Sequence, residues 1–195
     1  MESADGHQRL FVAICVPDDV KSQLSRVQSE LKSVLPPKST SWSKPDNMHL
    51  TLRFLGNVQN GQIPELVQRL DSSLTGFGAI DLVCERLGCF PDLRFPRVVW
   101  AWVHDDADRL IRLHGLVNEA VAGFAEKPAE KRFDGHITLA RPKNIKRHDA
   151  ERLAAFVRDA TQRRFGNWNC TAVELIRSEL DPAGSRYTTL KTVKL

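Results

Sequence analysis

A short string of residues occurs twice in this chain, and it limits the folds that the chain can adopt. His49-Leu50-Thr51-Leu52 and His136-Ile137-Thr138-Leu139 share the pattern His-apolar-Thr-apolar and lie 87 residues apart. Alternation of polar and apolar residues is typical of a half-buried β-strand. Each string therefore predicts a strand that turns His and Thr to one face and two apolar residues to the other.

The elements around the two strings follow the same order in each half. Apolar spacing and breaks at Pro and Gly predict strand, helix, strand, helix and strand twice, and then one last strand. The expected strands are 9–16, 48–55, 79–87, 98–103, 133–140, 168–176 and 187–193, and the expected helices are 20–34, 63–74, 110–121 and 149–160. We interpret this order as two similar α+β lobes. A doubly wound parallel sheet is less favoured, because no Gly-rich phosphate turn follows a strand.

Length and composition allow one ordinary globular domain. A chain of 195 residues buries roughly 70% of its surface on folding, so a core forms without disulfide or metal support. We predict a flexible N-terminal tail over residues 1–8 and a single bilobal domain over residues 9–195.

The polar N-terminus and the lack of an 18-residue apolar run predict a cytoplasmic protein with no membrane partner. The four Cys lack metal or redox spacing and are predicted to be buried, reduced thiols.

The charge distribution favours a locally bound anion. The formal net charge is +4, which suits an anionic partner, but Lys and Arg are scattered along the chain. A wide nucleic-acid track is therefore not indicated, and the anion is expected to meet only a few side chains.

The two His-Thr strings suit phosphodiester chemistry. If an approximate two-fold axis relates the lobes, His49 and His136 face one cleft. Imidazole titrates near pH 6.5, so one ring can be a neutral base while the other is a protonated acid. Thr51 and Thr138 can donate to phosphate oxygens, and Arg141 adds charge and a forked donor geometry. We therefore predict two catalytic histidines in a phosphate site.

Zinc is the alternative for the histidine pair. Two His and two hydroxyls lack the third ligand of a catalytic zinc site, although Asp134 could supply it. No ligand spacing supports zinc, so we predict no metal.

Other candidate residues are assigned to structure or solvent, since a single strand His or Trp is more often structural than functional. The closing hairpin could place Arg186 or Tyr187 at the rim of the cleft, but an ordinary turn is slightly favoured. The remaining residues in this group are His7, His104, His114, His148, Trp42, Trp100, Trp102 and Trp168.

At its two motifs the chain resembles the 2H phosphoesterase superfamily, and in particular the RNA 2′,3′-cyclic phosphodiesterases, also called 2′-5′ RNA ligases. The resemblance covers the opening strand at 9–14, the first motif at 48–56, the second motif at 136–141 and a closing hairpin at 178–187. It implies an α+β fold of two pseudo-symmetric lobes, each an antiparallel sheet with helices on its outer face, around a central cleft. It also implies hydrolysis of a ribose 2′,3′-cyclic phosphate at an RNA end to a 2′-phosphate, with no cofactor.

The resemblance also implies a role for each site residue. His49 would be the general acid that protonates the departing 3′ oxygen, and His136 the general base that activates water, although the sequence permits the exchange of these labels. Thr51 and Thr138 would hold phosphate oxygens, and Arg141 would clamp the phosphate.

Phe54 would stack on the terminal base. Phe54 and Arg141 each follow their His by five positions, an odd offset that would point them away from the imidazoles on an ideal strand. We expect a bulge or a strand end to turn both side chains inward. The alternative is that Phe54 lies in the core and Arg141 on a solvent face. The family commonly has Pro before its second His, whereas this chain has Gly135, which is expected to loosen the placement of His136.

Two other functions stay open at this stage. One is a noncatalytic module that binds RNA or nucleotides, and the other is a related esterase for another cyclic phosphate or a 2′-5′ oligonucleotide. We favour an enzyme for RNA ends or nucleotides with a 2′,3′-cyclic phosphate. We expect it to be a monomer and to ligate RNA only as a minor reverse reaction.

Overall fold

A computed structural model describes residues 6–130, 132–143, 145–181 and 184–195. Within these ranges the chain forms nine β-strands and four α-helices. The strands are β1 (His7–Cys15), β2 (Thr40–Trp42), β3 (His49–Gln59), β4 (Ile80–Phe90), β5 (Val98–His104), β6 (His136–Pro142), β7 (Arg164–Cys170), β8 (Ala172–Asp181) and β9 (Gly184–Lys194). The helices are α1 (Asp18–Val34), α2 (Ile63–Leu74), α3 (Arg109–Val121) and α4 (Arg147–Asp159).

The strands form two four-stranded antiparallel groups that meet at one residue pair. Lobe one has the order β3-β1-β8-β9, and lobe two has the order β7-β4-β5-β6 with β2 on the free edge of β6. Leu50 of β3 pairs with Ile137 of β6 and joins the two groups into one curled sheet. The predicted α+β fold with two lobes is therefore confirmed.

The helices are exchanged between the two halves of the chain. Helix α1 comes from the first half but packs on β6 and β7 of lobe two, together with α4. Helix α3 comes from the second half but packs on β3 of lobe one, together with α2. Each lobe is thus built from both halves.

The core lies between the sheet and the helices, as the alternation of the strands predicts. Leu50 and Leu52 in β3, and Ile137 and Leu139 in β6, are buried among the apolar residues of the helices. The opposite, concave face of the sheet has its own small apolar cluster, formed by Phe11, Ala13 and Ile176 with Tyr187 against it. The polar members of the two motifs are therefore left on the concave face.

The structure changes several predicted boundaries. Strand β1 begins at His7, because His7 and Gln8 pair with Gln59 and Val58 and extend the ladder. Residues 1–5 of the predicted tail lie outside the described residues. The predicted strand at 168–176 is two strands, β7 and β8, and the short, polar β2 was not predicted.

The cysteines follow the prediction at three of four positions. Cys84, Cys89 and Cys170 are buried free thiols, whereas Cys15 is exposed because it ends β1 on the concave face. In the described part of the chain, no helix combines the length and the apolar composition needed to cross a membrane.

Candidate active site

The two His-Thr strings line the same cleft. Strands β3 and β6 are neighbours at Leu50 and Ile137, so the residues beside this pair open onto one concave surface. The cleft has a volume of about 1070 Å³. All six residues that the sequence predicts for the site line it: His49, Thr51, Phe54, His136, Thr138 and Arg141.

Each imidazole is held by an equivalent hydrogen bond, from its Nδ1 to the carbonyl oxygen two residues earlier in the chain. His49 Nδ1 lies 2.7 Å from the carbonyl oxygen of Asn47, and His136 Nδ1 lies 2.7 Å from that of Asp134. A carbonyl oxygen only accepts, so Nδ1 donates in each case and carries the proton of the neutral ring. Nε2 is then the nitrogen that remains for a substrate in both rings.

The surroundings lower the pKa of both histidines. Burial is the largest cause for each ring, because it disfavours the charged form, and the Nδ1 hydrogen bond partly opposes it. The charge of His136 further lowers the pKa of His49, whereas the charge of Arg141 further lowers that of His136. His136 therefore acts electrostatically on His49 across the cleft.

Aromatic rings flank each histidine. The ring of His49 lies 4.8 Å from that of Phe11 and 5.3 Å from that of Tyr187. The ring of His136 lies 5.0 Å from that of Phe90 and 6.2 Å from that of Trp100. These contacts restrict the orientation of both imidazoles.

Two assignments made from the sequence are corrected by these contacts. Tyr187 packs against His49 in the cleft, so the closing hairpin is more than an ordinary turn, whereas Arg186 does not line the cleft. Trp100 lies on the concave face next to His136 rather than in the core. A local sequence pattern predicts neither contact, because Tyr187 on β9 and Trp100 on β5 are distant in sequence from the histidines that they contact.

A bulge in β3 brings Phe54 to the cleft. Ala13 pairs with Thr51 and Val12 with Arg53, so Leu52 has no partner in the ladder. This extra residue reverses the alternation and returns Phe54 to the face of His49 and Thr51. Its side chain is 60% exposed, which excludes the alternative of a core position.

A matching bulge in β6 does the same for Arg141. Trp100 pairs with Thr138 and Val99 with Ala140, so Leu139 is the extra residue. Arg141 is thereby turned to the cleft beside Ser41, its partner on β2. The predicted bend is present in both halves.

A loop fastened to β3 forms one wall of the cleft. The backbone N–H of Glu126 donates to the Leu55 carbonyl at 2.8 Å, and its carboxylate accepts from Asn57. Arg53, only 8% exposed, donates to the carbonyl oxygens of Lys127 and Pro128. Sequence reasoning missed Arg53. The bulge places it next to Leu52 on the core side of β3, where it pairs with Val12.

His114 also lines this part of the cleft, although it was assigned to structure or solvent. Its ring stacks on Phe133 at 4.1 Å, and Nε2 lies 2.9 Å from the amide nitrogen of Asn118. These contacts give it a packing role next to the segment that leads to His136.

Gly135 holds the backbone before His136 in close packing. A Cβ at this position would lie 2.4 Å from the carbonyl oxygen of Val103 and 3.1 Å from Cδ2 of Leu110. The Val103 N–H also donates to the Gly135 carbonyl at 2.8 Å. The expectation of a loosened His136 was therefore wrong, because glycine permits the strands to approach here.

The described residues contain no group of three His, Cys, Asp or Glu side chains placed to hold a metal ion. Asp134, the third ligand considered above, directs its carboxylate to the Arg132 guanidinium at 2.9 and 3.0 Å.

Two His-apolar-Thr-apolar motifs that face one cleft in a bilobal α+β fold define a 2H phosphoesterase. A family model described as LigT like Phosphoesterase matches residues 14–100 and 103–187. The chain belongs to this family, and it is an enzyme, a cyclic phosphodiesterase.

The similarity to known proteins covers almost the whole chain. The RNA 2′,3′-cyclic phosphodiesterase of Archaeoglobus fulgidus is 34% identical over 185 residues, which are 94% of this chain and 98% of the relative. That of Methanothermobacter thermautotrophicus is 28% identical over 187 residues, 96% and 98% of the two chains. The structure of E. coli LigT complexed with 3′-AMP has a TM-score of 0.75 and 26% identity, and covers 97% of this chain and 98% of that chain.

Proposed function

We propose that the protein hydrolyses ribose 2′,3′-cyclic phosphate at RNA ends to a 2′-phosphate, without a metal, by general acid and base catalysis. The observation that supports this most directly is the pair of imidazoles in one cleft, each with Nδ1 engaged by a carbonyl and Nε2 remaining. The names of the similar proteins support the same substrate.

We assign His136 as the base and His49 as the acid, as the family resemblance implies. Burial and, less strongly, the charge of Arg141 lower the pKa of His136 and stabilise its neutral form, which accepts a proton from the attacking water, whereas the carboxylates of Asp134 and Glu130 act in the opposite direction. His49, in its protonated form, gives a proton to the 3′ oxygen as the phosphorus–oxygen bond breaks. The product has a 2′-phosphate and a free 3′ hydroxyl.

Other cleft residues would hold the substrate. Thr51 and Thr138 would donate hydrogen bonds to phosphate oxygens. Arg141 would supply a positive charge as negative charge develops on the phosphate oxygens. Phe54 offers an exposed aromatic face to the terminal base.

The same site would also ligate RNA, when the 5′ hydroxyl of another RNA replaces water: its oxygen bonds to phosphorus, the bond to the 3′ oxygen breaks, and a 2′-5′ linkage and a free 3′ hydroxyl result. Water is in large excess, so ligation is expected to be a minor reaction. Action by residues 9–195 as one catalytic unit, a monomeric state and a cytoplasmic location belong to the same proposal.

The test is hydrolysis of an oligonucleotide ending in a 2′,3′-cyclic phosphate in the presence of excess chelator. We expect undiminished turnover and a 2′-phosphate product, separated by chromatography from the 3′-phosphate isomer. Loss of activity with chelator would overturn the two-histidine mechanism. A 3′-phosphate product would instead show that the 2′ oxygen leaves.

A further inference from the structure

The two ends of the cleft differ in charge. We call the end formed by Phe54, Asn57 and the loop before His136 the carboxylate end, because all three acidic residues of the lining, Glu126, Glu130 and Asp134, lie there. Three cations, Arg9, Arg53 and Lys127, line the same end, so its charge is mixed. We call the opposite end the lysine end, which is lined by Ser41, Lys44, Arg141, Gly184, Ser185 and Tyr187. Among the described residues, the lysine end has no acidic side chain in its lining.

Among the residues that the structure describes, the cations of the lysine end have no ion-pair partner. Within the described ranges, no carboxylate lies within 4.0 Å of Lys44 or Arg141, whereas Arg132 at the other end is paired with Asp134. Lys44 extends along the tip of the β8–β9 hairpin, where a Cβ on Gly184 would lie 3.8 Å from its Nζ. Both positive charges are thus available to an anion.

Two side chains hold the lysine end in place. Gln28, only 4% exposed, donates through Nε2 to the carbonyl oxygens of Ser43 and Leu139, at 2.8 Å each. Asn47 donates through Nδ2 to the carbonyl oxygen of Ser185 at 2.7 Å. The segment that contains Lys44 is therefore tied both to β6 and to the closing hairpin.

The chemistry of ribose relates this end to the proposed substrate. The base is attached to C1′, beside C2′, and the 5′ carbon is attached to C4′, beside C3′. When the 2′,3′ edge lies between the two imidazoles, the base and the 5′ oxygen project in opposite directions along the cleft. A base on Phe54 therefore directs the 5′ oxygen toward the lysine end.

We propose that the lysine end is a second anion subsite, in which Lys44 binds the phosphate on the 5′ oxygen of the terminal nucleotide. This inference rests on the proposed function and narrows its substrate. In an RNA chain that phosphate is the last internucleotide linkage, so the subsite favours chain ends over free cyclic mononucleotides.

The experiment compares three substrates: adenosine 2′,3′-cyclic phosphate, the same compound with a 5′-phosphate, and the dinucleotide ApA with a 2′,3′-cyclic end. For the unmodified enzyme, we expect kcat/KM to be roughly five-fold higher for the two substrates with a 5′ phosphate group, the size of one partly exposed charge contact. In Lys44→Gln this ratio should fall to about one, and Lys44→Arg should keep most of it. Lys194→Gln removes the same charge outside the cleft and should leave the ratio at its original value.

An equal loss on all three substrates in Lys44→Gln would overturn the subsite, because it would indicate general charge attraction. An unchanged ratio would also overturn it. Absence of turnover on every substrate would instead refute the proposed function. In that case the dissociation constants of adenosine 2′-phosphate and adenosine 2′,5′-bisphosphate still test the subsite, since only the second should depend on Lys44.

Discussion

The first and second halves of the chain place their histidines in the same local geometry but give them different surroundings. Each Nδ1 donates to the carbonyl two residues earlier, and each strand has a bulge between the Thr and the residue five positions after the His. The segment before His49 contributes a cation, Lys44, to the cleft, whereas the segment before His136 contributes three carboxylates and one cation, Lys127.

This comparison separates what the duplicated motif does from what its neighbours do. The shared features orient two equivalent rings, which is what proton transfer to and from one phosphate requires. We propose that the features that differ, Phe54 against Arg141 and Lys44 against the carboxylates, determine which ring is the acid and how a substrate lies. The predictions below test this division.

The largest expected effect is the loss of either imidazole. His49→Ala and His136→Ala should each lower kcat by about 10³-fold, the range of general acid or base catalysis, and the double variant should be little worse than either one. Steady-state kinetics measures this. His148→Ala, at an exposed position of α4, is the matched control and should keep full activity. A residual rate above one tenth in either single variant would contradict equal need for both halves.

Loss of the Arg141 guanidinium should have the second largest effect on activity. Arg141→Gln removes a charge that stabilises the transition state, and we expect kcat/KM to fall by about 10²-fold. Arg147→Gln, an exposed change outside the cleft, should have no measurable effect. If both variants behave alike, Arg141 does not bind the phosphate.

Phe54→Ala tests the counterpart of Arg141 in the first half, the residue five positions after His49. Base stacking is worth about 1–3 kcal/mol, so KM should rise by about ten-fold or more, with a smaller change in kcat. The stability should change little because the ring is exposed. Phe95, 71% exposed and outside the cleft, provides the control variant Phe95→Ala. A KM that stays constant would remove Phe54 from the substrate site.

The residue before the motif His differs between the two halves: Met48 precedes His49, whereas Gly135 precedes His136. We expect the free energy of unfolding to depend on Gly135. Gly135→Ala places a Cβ against the Val103 carbonyl and should lower the free energy of unfolding by about 1–3 kcal/mol. Gly115→Ala in α3 has open space around the new Cβ and should raise it by up to about 1 kcal/mol. Urea unfolding measures both. Equal signs for the two variants would contradict close packing at Gly135.

The smallest expected effect is a shift in the pH profile. The base is lost below its pKa and the acid above its pKa, so kcat/KM should be bell-shaped with its maximum midway between the two. Because the pKa of both rings is lowered, that maximum should lie below pH 6.5. Arg141→Gln should raise the pKa of His136 and move the acidic limb upward. Movement of the alkaline limb instead would exchange the acid and base roles.

The sequence contained most of the information on the motifs themselves. Alternation around His49 and His136 predicts their strands, because a residue's face depends only on its immediate neighbours. The bulges were expected for another reason: the family resemblance places Phe54 and Arg141 in the site, although each follows its His by an odd number of positions. The packing of Gly135 was missed, since the contact it permits is with Val103 on another strand.

The surroundings of the motifs could not be predicted in this way. Tyr187 reaches His49 only because the β8–β9 hairpin curls over the concave face. Lys44 follows a short polar strand without periodicity, and its place in the cleft depends on Gln28 and Asn47. These are long-range contacts, which a local pattern does not encode.

The exchange of α1 and α3 between the lobes has a consequence for how such an enzyme can be divided. A cut in the 91–97 loop would separate α1 from β6 and β7, and α3 from β3. We therefore expect the two fragments to fold only together, because each carries a helix that covers part of the other's sheet.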